Sequence, residues 1–386
     1  MFSRVCNTAA FAALIIGALE LLTPMTAQSL PLFARELKVP CTTCHMSFPR
    51  LNTFGMDFKQ NGYRMPGQMG TSPWEQEHFP LSLVGNVGAH WVRTEADTGG
   101  PSRVSSTQSG FGQNWVEFHT AGTLAQKVSF HFDNGFANDT GVLQSGMAFV
   151  QFDDVATGGK LNVKVGIFDG EIPYLSDARR TTMAGYLTDW TQDNQGIELN
   201  GASNVWTYAA GVVNSTRTQG KAGSNNLNQL ENVYGWLARD IGSSMVTARV
   251  RLERQDPRTA GKDASLHMQT DVSAYWSGSS GRFAVIPAVT LEHFADVTVE
   301  KDIDTAMLEA TGMLDKDGKW VATGRFEQRR TLASGGLDAS NLSQAALNLA
   351  YYLSPNARVA LDWTHQSADH NGPSEDQIQA FVHVGY

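Results

Sequence analysis

Two cysteines and a histidine lie together in the stretch Cys41-Thr42-Thr43-Cys44-His45, near the start of the chain. Two thiols at positions i and i+3, followed at once by an imidazole, form the pattern on which haem is attached covalently. In that chemistry Cys41 and Cys44 form thioether bonds with the two vinyl groups of the haem, and His45 binds the iron as the proximal ligand. The spacing therefore predicts one haem c, held by these three side chains.

The number of cysteines supports this prediction. The chain has three cysteines, and Cys6 lies in a segment that we expect to be removed, so both cysteines of the mature protein belong to the motif. A zinc site would need two further Cys or His ligands at matching spacing, and the sequence contains no second cysteine pair. A thioredoxin-like motif would need a βαβ context, which the sequence does not offer. A small disulfide loop between Cys41 and Cys44 is the other alternative.

The segments around the motif divide the chain into three parts. Residues 1–29 are similar to a secretory signal peptide, with a basic Arg4, an apolar run and small residues before the end; an uncleaved N-terminal anchor is the alternative. Residues 30–80 form the haem segment, and residues 81–386 have a strand-like composition. Export agrees with haem chemistry, because bacteria attach haem c outside the cytoplasm.

The haem segment predicts one short helix after the motif. Ser47 is suited to cap it, Leu51, Phe54 and Phe58 fall on one apolar face, and Asn61-Gly62 is typical of a helix end. We expect Phe54 and Phe58 to pack against the porphyrin. A segment of about 50 residues is too short to bury a haem by itself, so another part of the chain must shield it.

Residues 81–386 predict an all-β fold. Stretches of strand length alternate between apolar and polar residues, which is typical of a transmembrane β-barrel. A barrel of about sixteen strands encloses a lumen, and we expect the haem segment to fold into that lumen as a plug. Barrels of roughly fourteen or eighteen strands and a soluble β-sandwich are the alternatives. The expected strands lie near 81–93, 111–121, 126–133, 144–155, 160–168, 195–200, 205–213, 231–241, 244–254, 266–277, 282–293, 304–313, 319–330, 341–353, 356–367 and 376–386.

The connections between these strands favour an outer-membrane barrel in a Gram-negative bacterium, in contact with outer-membrane lipid. Short turns alternate with longer loops, as expected for periplasmic turns and extracellular loops. Both termini then face the periplasm, with the N-terminus there or in the lumen. The longest loop expected outside spans 169–194. Several acidic residues on or beside the outer loops could attract Fe(II) or Mn(II), or simply be solvated: Asp177, Asp189, Asp193, Asp296, Glu300, Asp302 and Asp304.

The residues on both sides of the motif resemble a known family, the outer-membrane fused monohaem cytochrome–porins. Leu32-Phe33-Ala34-Arg35 before the motif, and Phe48-Pro49-Arg50-Leu51-Asn52 after it, are similar to the family's signature, as are Phe54-Gly55, Phe58-Lys59 and Asn61-Gly62-Tyr63. The likeness is specific over about residues 31–67 and only architectural over the barrel. It implies single-electron transfer from an extracellular donor, Fe(II) or another reductant, to a periplasmic c-type cytochrome.

The sixth ligand of the haem iron is a further question. Met65 follows the predicted helix and is our expected distal ligand, because Met/His ligation is a known way to raise the haem potential. The alternatives are Met56, Met69, His78, His119 and His131.

Three other functions fit the same sequence. They are a porin in which the tethered haem is a plug or sensor, a conduit that carries electrons outward to extracellular acceptors, and a haem protein that acts on a small substrate such as peroxide. The net charge of −9 argues against nucleic acid as a partner.

Overall fold

Sixteen antiparallel strands close into one barrel. The structure is a computed structural model that describes residues 32–65, 68–76, 79–97, 103–137, 143–156, 158–170, 172–176, 180–188, 190, 193–214, 230–255, 265–278, 281–295, 300–332, 340–354, 356–369 and 372–385. The predicted signal peptide and His78 lie outside the described residues.

The barrel strands follow one another around the wall, and β18 pairs with β3 to close the sheet. Two short strands, β1 (His45–Ser47) and β2 (Arg50–Leu51), precede them in the N-terminal segment. The barrel strands are β3 (Leu81–Asp97), β4 (Arg103–Ala125), β5 (Val128–Ala137), β6 (Leu143–Ala156), β7 (Leu161–Asp169), β8 (Asp193–Ser203), β9 (Trp206–Asn214), β10 (Leu230–Ile241), β11 (Ser244–Gln255), β12 (Ser265–Ser277), β13 (Phe283–Ala295), β14 (Glu300–Met313), β15 (Trp320–Leu332), β16 (Ser340–Ser354), β17 (Ala357–Ala368) and β18 (Ser374–Gly385).

The outer face of the barrel is apolar and its inner face is polar. On β14, Leu308 points outward and is 52% exposed, whereas its neighbour Glu309 points inward and is 0% exposed. The same alternation places Leu291 and Leu361 outside and Thr290 inside. An apolar face open to the surroundings and a polar interior are the reverse of a soluble fold and match a membrane barrel.

Aromatic side chains mark the end of the barrel that carries the short turns. Trp206, Trp276, Phe283 and Trp320 are all more than one-third exposed and lie beside those turns. Such aromatic girdles are typical of the membrane interface. The N-terminal segment enters and β18 ends at this same end, which is the periplasmic end by the length of its turns. Among the described residues, no helix is long and apolar enough to cross a membrane.

All sixteen predicted strands are confirmed, and β3 begins at Leu81 as expected. The largest difference is in β4, which begins at Arg103 instead of near residue 111. The extra residues are polar, including Ser105 and Ser106, but they remain paired with β3 beyond the apolar band. Hydropathy therefore could not reveal them.

The N-terminal segment lies inside the barrel, as predicted. It contains helix α1 (Leu32–Leu37), a 3-10 turn (Cys41–Thr43), the β1–β2 hairpin and helix α2 (Thr53–Gln60). Three contacts fix it to the inner wall and to the loop inside the barrel. Arg50 pairs with Glu309 of β14, the Tyr352 hydroxyl donates to the Phe48 carbonyl at 2.7 Å, and the Tyr174 hydroxyl donates to Thr53 at 3.1 Å. We refer to residues 32–80 as the plug.

The helix of the plug begins later than the sequence suggests. Its N-cap is Asn52, whose side chain accepts from the Gly55 N–H. Ser47, the predicted cap, instead lies in β1, because residues 45–51 form a hairpin and leave no helical backbone there. The predicted end is confirmed: Asn61 caps the helix and Gly62 has a φ of +66°, a conformation that glycine adopts readily.

The described part of the connection between β7 and β8 (residues 170, 172–176, 180–188 and 190) also folds into the lumen, and we refer to it as the lumenal loop. Its Leu175 and Trp190 are fully buried. Arg249 donates to the Trp190 carbonyl at 2.6 Å, and the Leu187 N–H donates to Glu327 at 2.8 Å. The connection begins and ends at the outer end of the barrel as predicted, but its described residues lie inside the lumen, because inward-facing charges of the wall bind its backbone. Asp177 and Asp189 lie outside the described residues.

Candidate functional site

The Cys-x-x-Cys-His motif is held in place by the cap of helix α2. The Asn52 amide donates to the carbonyls of Thr43 at 3.0 Å and Thr42 at 3.2 Å, and the Asn52 N–H donates to the Cys44 carbonyl at 2.9 Å. A Cβ on Gly55 would lie 2.1 Å from that Cys44 carbonyl oxygen, so only glycine allows this packing. One asparagine and one glycine thus fix the backbone of the motif against α2.

The imidazole of His45 has one nitrogen engaged. Its Nδ1 lies 3.2 Å from the Pro49 carbonyl oxygen, a contact in which Nδ1–H donates when Nε2 carries the lone pair. Metal-binding histidines are usually oriented in this way, through a hydrogen bond from the other ring nitrogen. Phe48 packs against the ring with 5.4 Å between centroids. Through this contact of Nδ1 the ring is oriented as in a metal-binding histidine, with Nε2 as the atom that would bind a metal.

Cys44 and His45 line a cavity of about 360 Å³ between the plug and the wall. This volume falls within the range of ligand pockets, roughly 300–1,000 Å³. The plug contributes an aromatic and aliphatic side, and the barrel and the lumenal loop contribute mostly polar residues. Residues of the barrel side include Ser82, Trp115, Glu117, His119, His131, Asp133, Arg358 and His383, with Arg180, Thr182 and Met183 from the loop.

Phe58 lies in the wall of this cavity. Phe54 stacks on it at 6.4 Å between centroids, and Phe33 meets it edge to face at 5.0 Å. Tyr63, which also lines the cavity, stacks on Phe33 at 4.9 Å. The two predicted phenylalanines therefore belong to one aromatic cluster beside the motif, a surface suited to a flat apolar macrocycle.

The candidates for a second iron ligand differ in their position relative to the cavity, which His119 and His131 both line. Met65 is half-buried and is not among the described residues that line the cavity. His383, on the last strand, lines the cavity and is 5% exposed, and its buried Nε2 has no hydrogen-bond partner among the described residues. Sequence reasoning missed His383, although it lies on the same face as Phe381 in an alternating terminal strand, which marks it as inward-facing.

The cavity lies near the periplasmic end of the barrel. Ser82 is the second residue of β3, and His383 is two residues from the end of β18; both strands meet the short-turn end at these positions. From this end the cavity extends to Asp133, in the middle of β5, and to Arg180 and Thr182 of the lumenal loop.

One carboxyl group of the plug has a shifted pKa. Burial, together with the charge of Asp240, raises the pKa of Asp57 on α2 to about 6. Its side chain is accessible, and Asp240 lies beside the short turn between β10 and β11.

The residues present fit a covalently held haem. Cys44 supplies a thiol at the cavity, His45 supplies an oriented imidazole, and the phenylalanine cluster supplies an apolar side. His383 supplies a buried nitrogen that has no hydrogen-bond partner in the part of the chain that the structure describes. The backbone of Cys41 lies in the adjoining 3-10 turn.

The fold defines the class of this protein. A closed barrel of sixteen antiparallel strands with an apolar outer band and an aromatic girdle is an outer-membrane barrel of porin type. The chain is therefore an outer-membrane protein, as predicted.

Solved structures of outer-membrane channels share this fold. The channel DcaP of Acinetobacter baumannii superposes with a TM-score of 0.57 at 12% identity, covering 80% of this chain and 97% of its own. The anion-selective porin from Comamonas acidovorans gives 0.55 at 13% identity, with 79% and 99% covered. OmpT of Vibrio cholerae gives 0.55 at 11%, with 78% and 97% covered. No protein-family model and no curated protein matches the chain, so these likenesses show the fold alone.

Proposed function

We propose that this protein is an outer-membrane cytochrome of the fused monohaem cytochrome–porin type, which transfers single electrons through haem c. The observation that carries the proposal is the position of the Cys-x-x-Cys-His motif: it lies inside the barrel, with Cys44 and His45 in the wall of a cavity and the imidazole already oriented. A motif that occurred by chance would have no reason to meet a lumenal cavity.

The residues of the plug have distinct roles in this function. Cys41 and Cys44 would tether the haem, and Nε2 of His45 would bind its iron, with the ring oriented by the contact between Nδ1 and the Pro49 carbonyl oxygen. Asn52 keeps the motif rigid through its backbone contacts. When bound, the haem accepts and releases one electron at a time by changing the oxidation state of its iron. No acid–base group or nucleophile of the chain is required for this step.

For the direction of electron flow we propose the inward one. A group near the periplasmic end is accessible to a periplasmic c-type cytochrome that docks there. An extracellular donor, for which we propose Fe(II), must then come down the lumen to reach it, since the apolar band of such barrels is about 25 Å tall. Flow in the opposite direction, to extracellular acceptors, uses the same residues and is the alternative.

Two residues are our main candidates for the distal ligand of the iron, and His119 and His131, which also line the cavity, are the others. Met65 remains our prediction from the sequence, and His383 is the candidate favoured by burial and by its unpartnered nitrogen. Absorption spectra of the variants Met65→Ala and His383→Ala decide between them, because loss of the true ligand converts a low-spin haem to a high-spin one. The variant that keeps the low-spin spectrum is not altered at the ligand.

Covalent haem is the first measurement. The protein is produced with a haem-attachment system, and the mature chain is examined by denaturing electrophoresis with haem staining and by mass. One haem per chain is expected for the wild type and for the control Cys6→Ala, and none for Cys41→Ala/Cys44→Ala. A wild-type chain without covalent haem would refute the proposal.

Electron transfer is tested on the haem-loaded protein by rapid mixing with Fe(II) while the reduced α-band is recorded. Rapid reduction is expected. If dithionite reduces the haem and Fe(II) does not, Fe(II) is not the donor, and another reductant or outward flow takes its place.

A porin that carries a tethered haem is the second candidate, and the likeness of the fold to known channels favours it. Solute flux into liposomes separates the two functions. Fast uptake of small sugars by the haem-loaded protein would favour the channel, whereas a barrel occupied by the plug and the lumenal loop is expected to conduct slowly.

A further inference from the structure

Two histidines and an aspartate meet on adjacent strands at the cavity. His119 on β4 is paired directly with Asp133 on β5, and His131 lies two residues before Asp133 on the same face. All three line the cavity that also contains His45. One nitrogen or oxygen of each lies within 4.8 Å of the others, which is the arrangement needed to enclose a metal ion.

Each histidine of this cluster is oriented through one ring nitrogen. Nε2 of His119 lies 3.0 Å from Glu117, and Nδ1 of His131 lies 2.7 Å from the Tyr63 hydroxyl of the plug. The other nitrogens both face Asp133: Nε2 of His131 is 3.2 Å and Nδ1 of His119 is 3.9 Å from its Oδ2. Histidines that bind metals are commonly fixed by such hydrogen bonds on the opposite nitrogen.

Asp133 is oriented in the same way. Its Oδ1 accepts the backbone N–H of Met147, which leaves Oδ2 facing the two histidines. A Cβ at position 146 would lie 1.9 Å from Oδ1, so Gly146 makes room for this orientation. Asp133 is 3% exposed, and a buried carboxylate is costly unless it is bonded or binds a metal.

We propose that His119 Nδ1, His131 Nε2 and Asp133 Oδ2 form a binding site for a divalent first-row transition-metal ion. Two imidazoles and one carboxylate suit such ions, Fe(II) among them, and do not suit Mg²⁺ or Ca²⁺, which prefer oxygen ligands. Three protein ligands also leave open positions for water. Ordinary His–carboxylate pairs elsewhere differ: His365 meets only Asp376, at 2.9 Å, and forms no such cluster among the described residues.

A role for the site in iron oxidation rests on the proposed function. Fe(II) held by these three ligands would lose one electron to become Fe(III), and a bound haem would supply the route by which that electron reaches a periplasmic c-type cytochrome, the final oxidant. The carboxylates of Asp133 and Glu117 favour the more highly charged Fe(III) and so assist this step. The metal site itself stands without that role, because its geometry belongs to the barrel and to Tyr63.

The test uses Co(II) as a probe, because Co(II) has similar ligand preferences and does not reduce the haem. Haem-loaded protein is dialysed to equilibrium against Co(II) at pH 7.5, and bound cobalt is measured by elemental analysis. One Co(II) per chain is expected for the wild type. Affinity is expected to fall at least about 100-fold in Asp133→Asn, and about 10- to 100-fold in Glu117→Gln, which removes only an orienting partner.

His365→Gln is the matched control, because it removes one histidine of a carboxylate pair outside the cluster, and it is expected to bind Co(II) as the wild type does. Heat-modifiable migration on denaturing gels verifies that each variant barrel is folded. If Asp133→Asn fails to fold, Glu117→Gln still tests the site, because this variant keeps all three ligands. Equal Co(II) affinity in the wild type and in Glu117→Gln and Asp133→Asn would overturn the proposal. So would a change of the haem from low spin to high spin in His131→Gln, which would assign His131 to the haem iron.

Haem content and cobalt content are measured on the same sample, so a failure of the proposed cytochrome function can be distinguished from a failure of the proposed metal site. Folded protein without covalent haem that still binds one Co(II) would refute the cytochrome function and support the metal site. Haem-loaded protein without Co(II) binding would refute the metal site alone.

Discussion

A buried ion pair between Arg50 of the plug and Glu309 of β14 is the clearest target for a perturbation. Both side chains are at most 4% exposed. Glu309 also lies 3.8 Å from Arg325, which in turn pairs with Glu327 at 2.7 Å. Among the described residues Glu309 is the one carboxylate bonded to Arg50, so the two halves of the pair are not equivalent. Removing the carboxylate isolates Arg50, whereas removing Arg50 leaves Glu309 beside Arg325.

The expected loss of free energy for docking the plug follows from this asymmetry. Breaking a buried pair by removing one partner typically costs about 3–5 kcal/mol, and Glu309→Gln should approach that range. A loss of about 3 kcal/mol corresponds to a roughly 150-fold larger population of undocked plug, at about 1.4 kcal/mol per factor of ten. Arg50→Met should cost less. The double variant Arg50→Met/Glu309→Leu should be more stable than Glu309→Gln, because replacing both charges removes the desolvation penalty.

Hydrogen exchange of the α2 amides measures this population, since an eight-residue helix is not stable outside the barrel. Exchange should be roughly 100-fold faster in Glu309→Gln than in the wild type. Arg330→Met is the control: Arg330 pairs with Asp304 at 3.1 Å but is half exposed, and such pairs contribute at most about 1 kcal/mol. Exchange within threefold of the wild type in Glu309→Gln, or faster exchange in the double variant than in Glu309→Gln, would refute the reasoning.

Three further variants test the motif and the plug. Asn52→Ala removes the cap of α2 and the side-chain bonds to the motif, so α2 should lose about 1 kcal/mol or more of stability and its amides should exchange faster. Asn52→Asp keeps the cap and should lose less stability. Equal amide exchange in the two variants would contradict the capping role. Gly55→Ala brings a Cβ to 2.1 Å from the Cys44 carbonyl oxygen, so covalent haem per chain should fall, and wild-type loading would contradict this close contact. The pKa of Asp57 is raised to about 6, so the folded plug holds this proton more tightly than the unfolded chain and should lose stability as pH rises from about 4 through 6. Asp57→Asn should abolish this pH dependence, measured as the protection factors of the α2 amides. An unchanged dependence would assign it to another group.

The barrel could be predicted from the sequence because its physical signal is local. Each strand alternates between lipid and lumen, and the alternation is visible in any stretch such as the one around Leu308 and Glu309. Turn residues such as Gly242 and Gly318, both with positive φ, mark the short connections. The plug was predictable for a different reason: the segment that carries the Cys-x-x-Cys-His motif is too short to form a core around a haem, so another part of the chain was expected to enclose it.

The site around the motif could not be predicted in the same way. Direct pairing of His119 with Asp133 depends on the register of two strands, which hydropathy does not specify. His383 is separated from the motif by more than 300 residues along the chain and meets it only because β18 closes the barrel beside β3. The sequence of the lumenal loop resembles an ordinary polar connection. Its inward position could not be predicted, because its partners are inward-facing charges on strands that are distant in the sequence.

The ion pairs of the lumen bear on the choice between a channel and a cytochrome. Arg50 with Glu309, and Arg64 with Asp154 at 3.3 Å, fix the plug to the wall, and Arg325 binds the backbone of the lumenal loop at 2.7 Å. Buried pairs of this kind add little net stability, because desolvation offsets the attraction, but they fix position. Outer-membrane barrels that are not cytochromes also hold plugs or loops in the lumen. Under the proposed cytochrome function, a haem that faces a donor on one side and a periplasmic partner on the other would require the fixed position that these contacts provide.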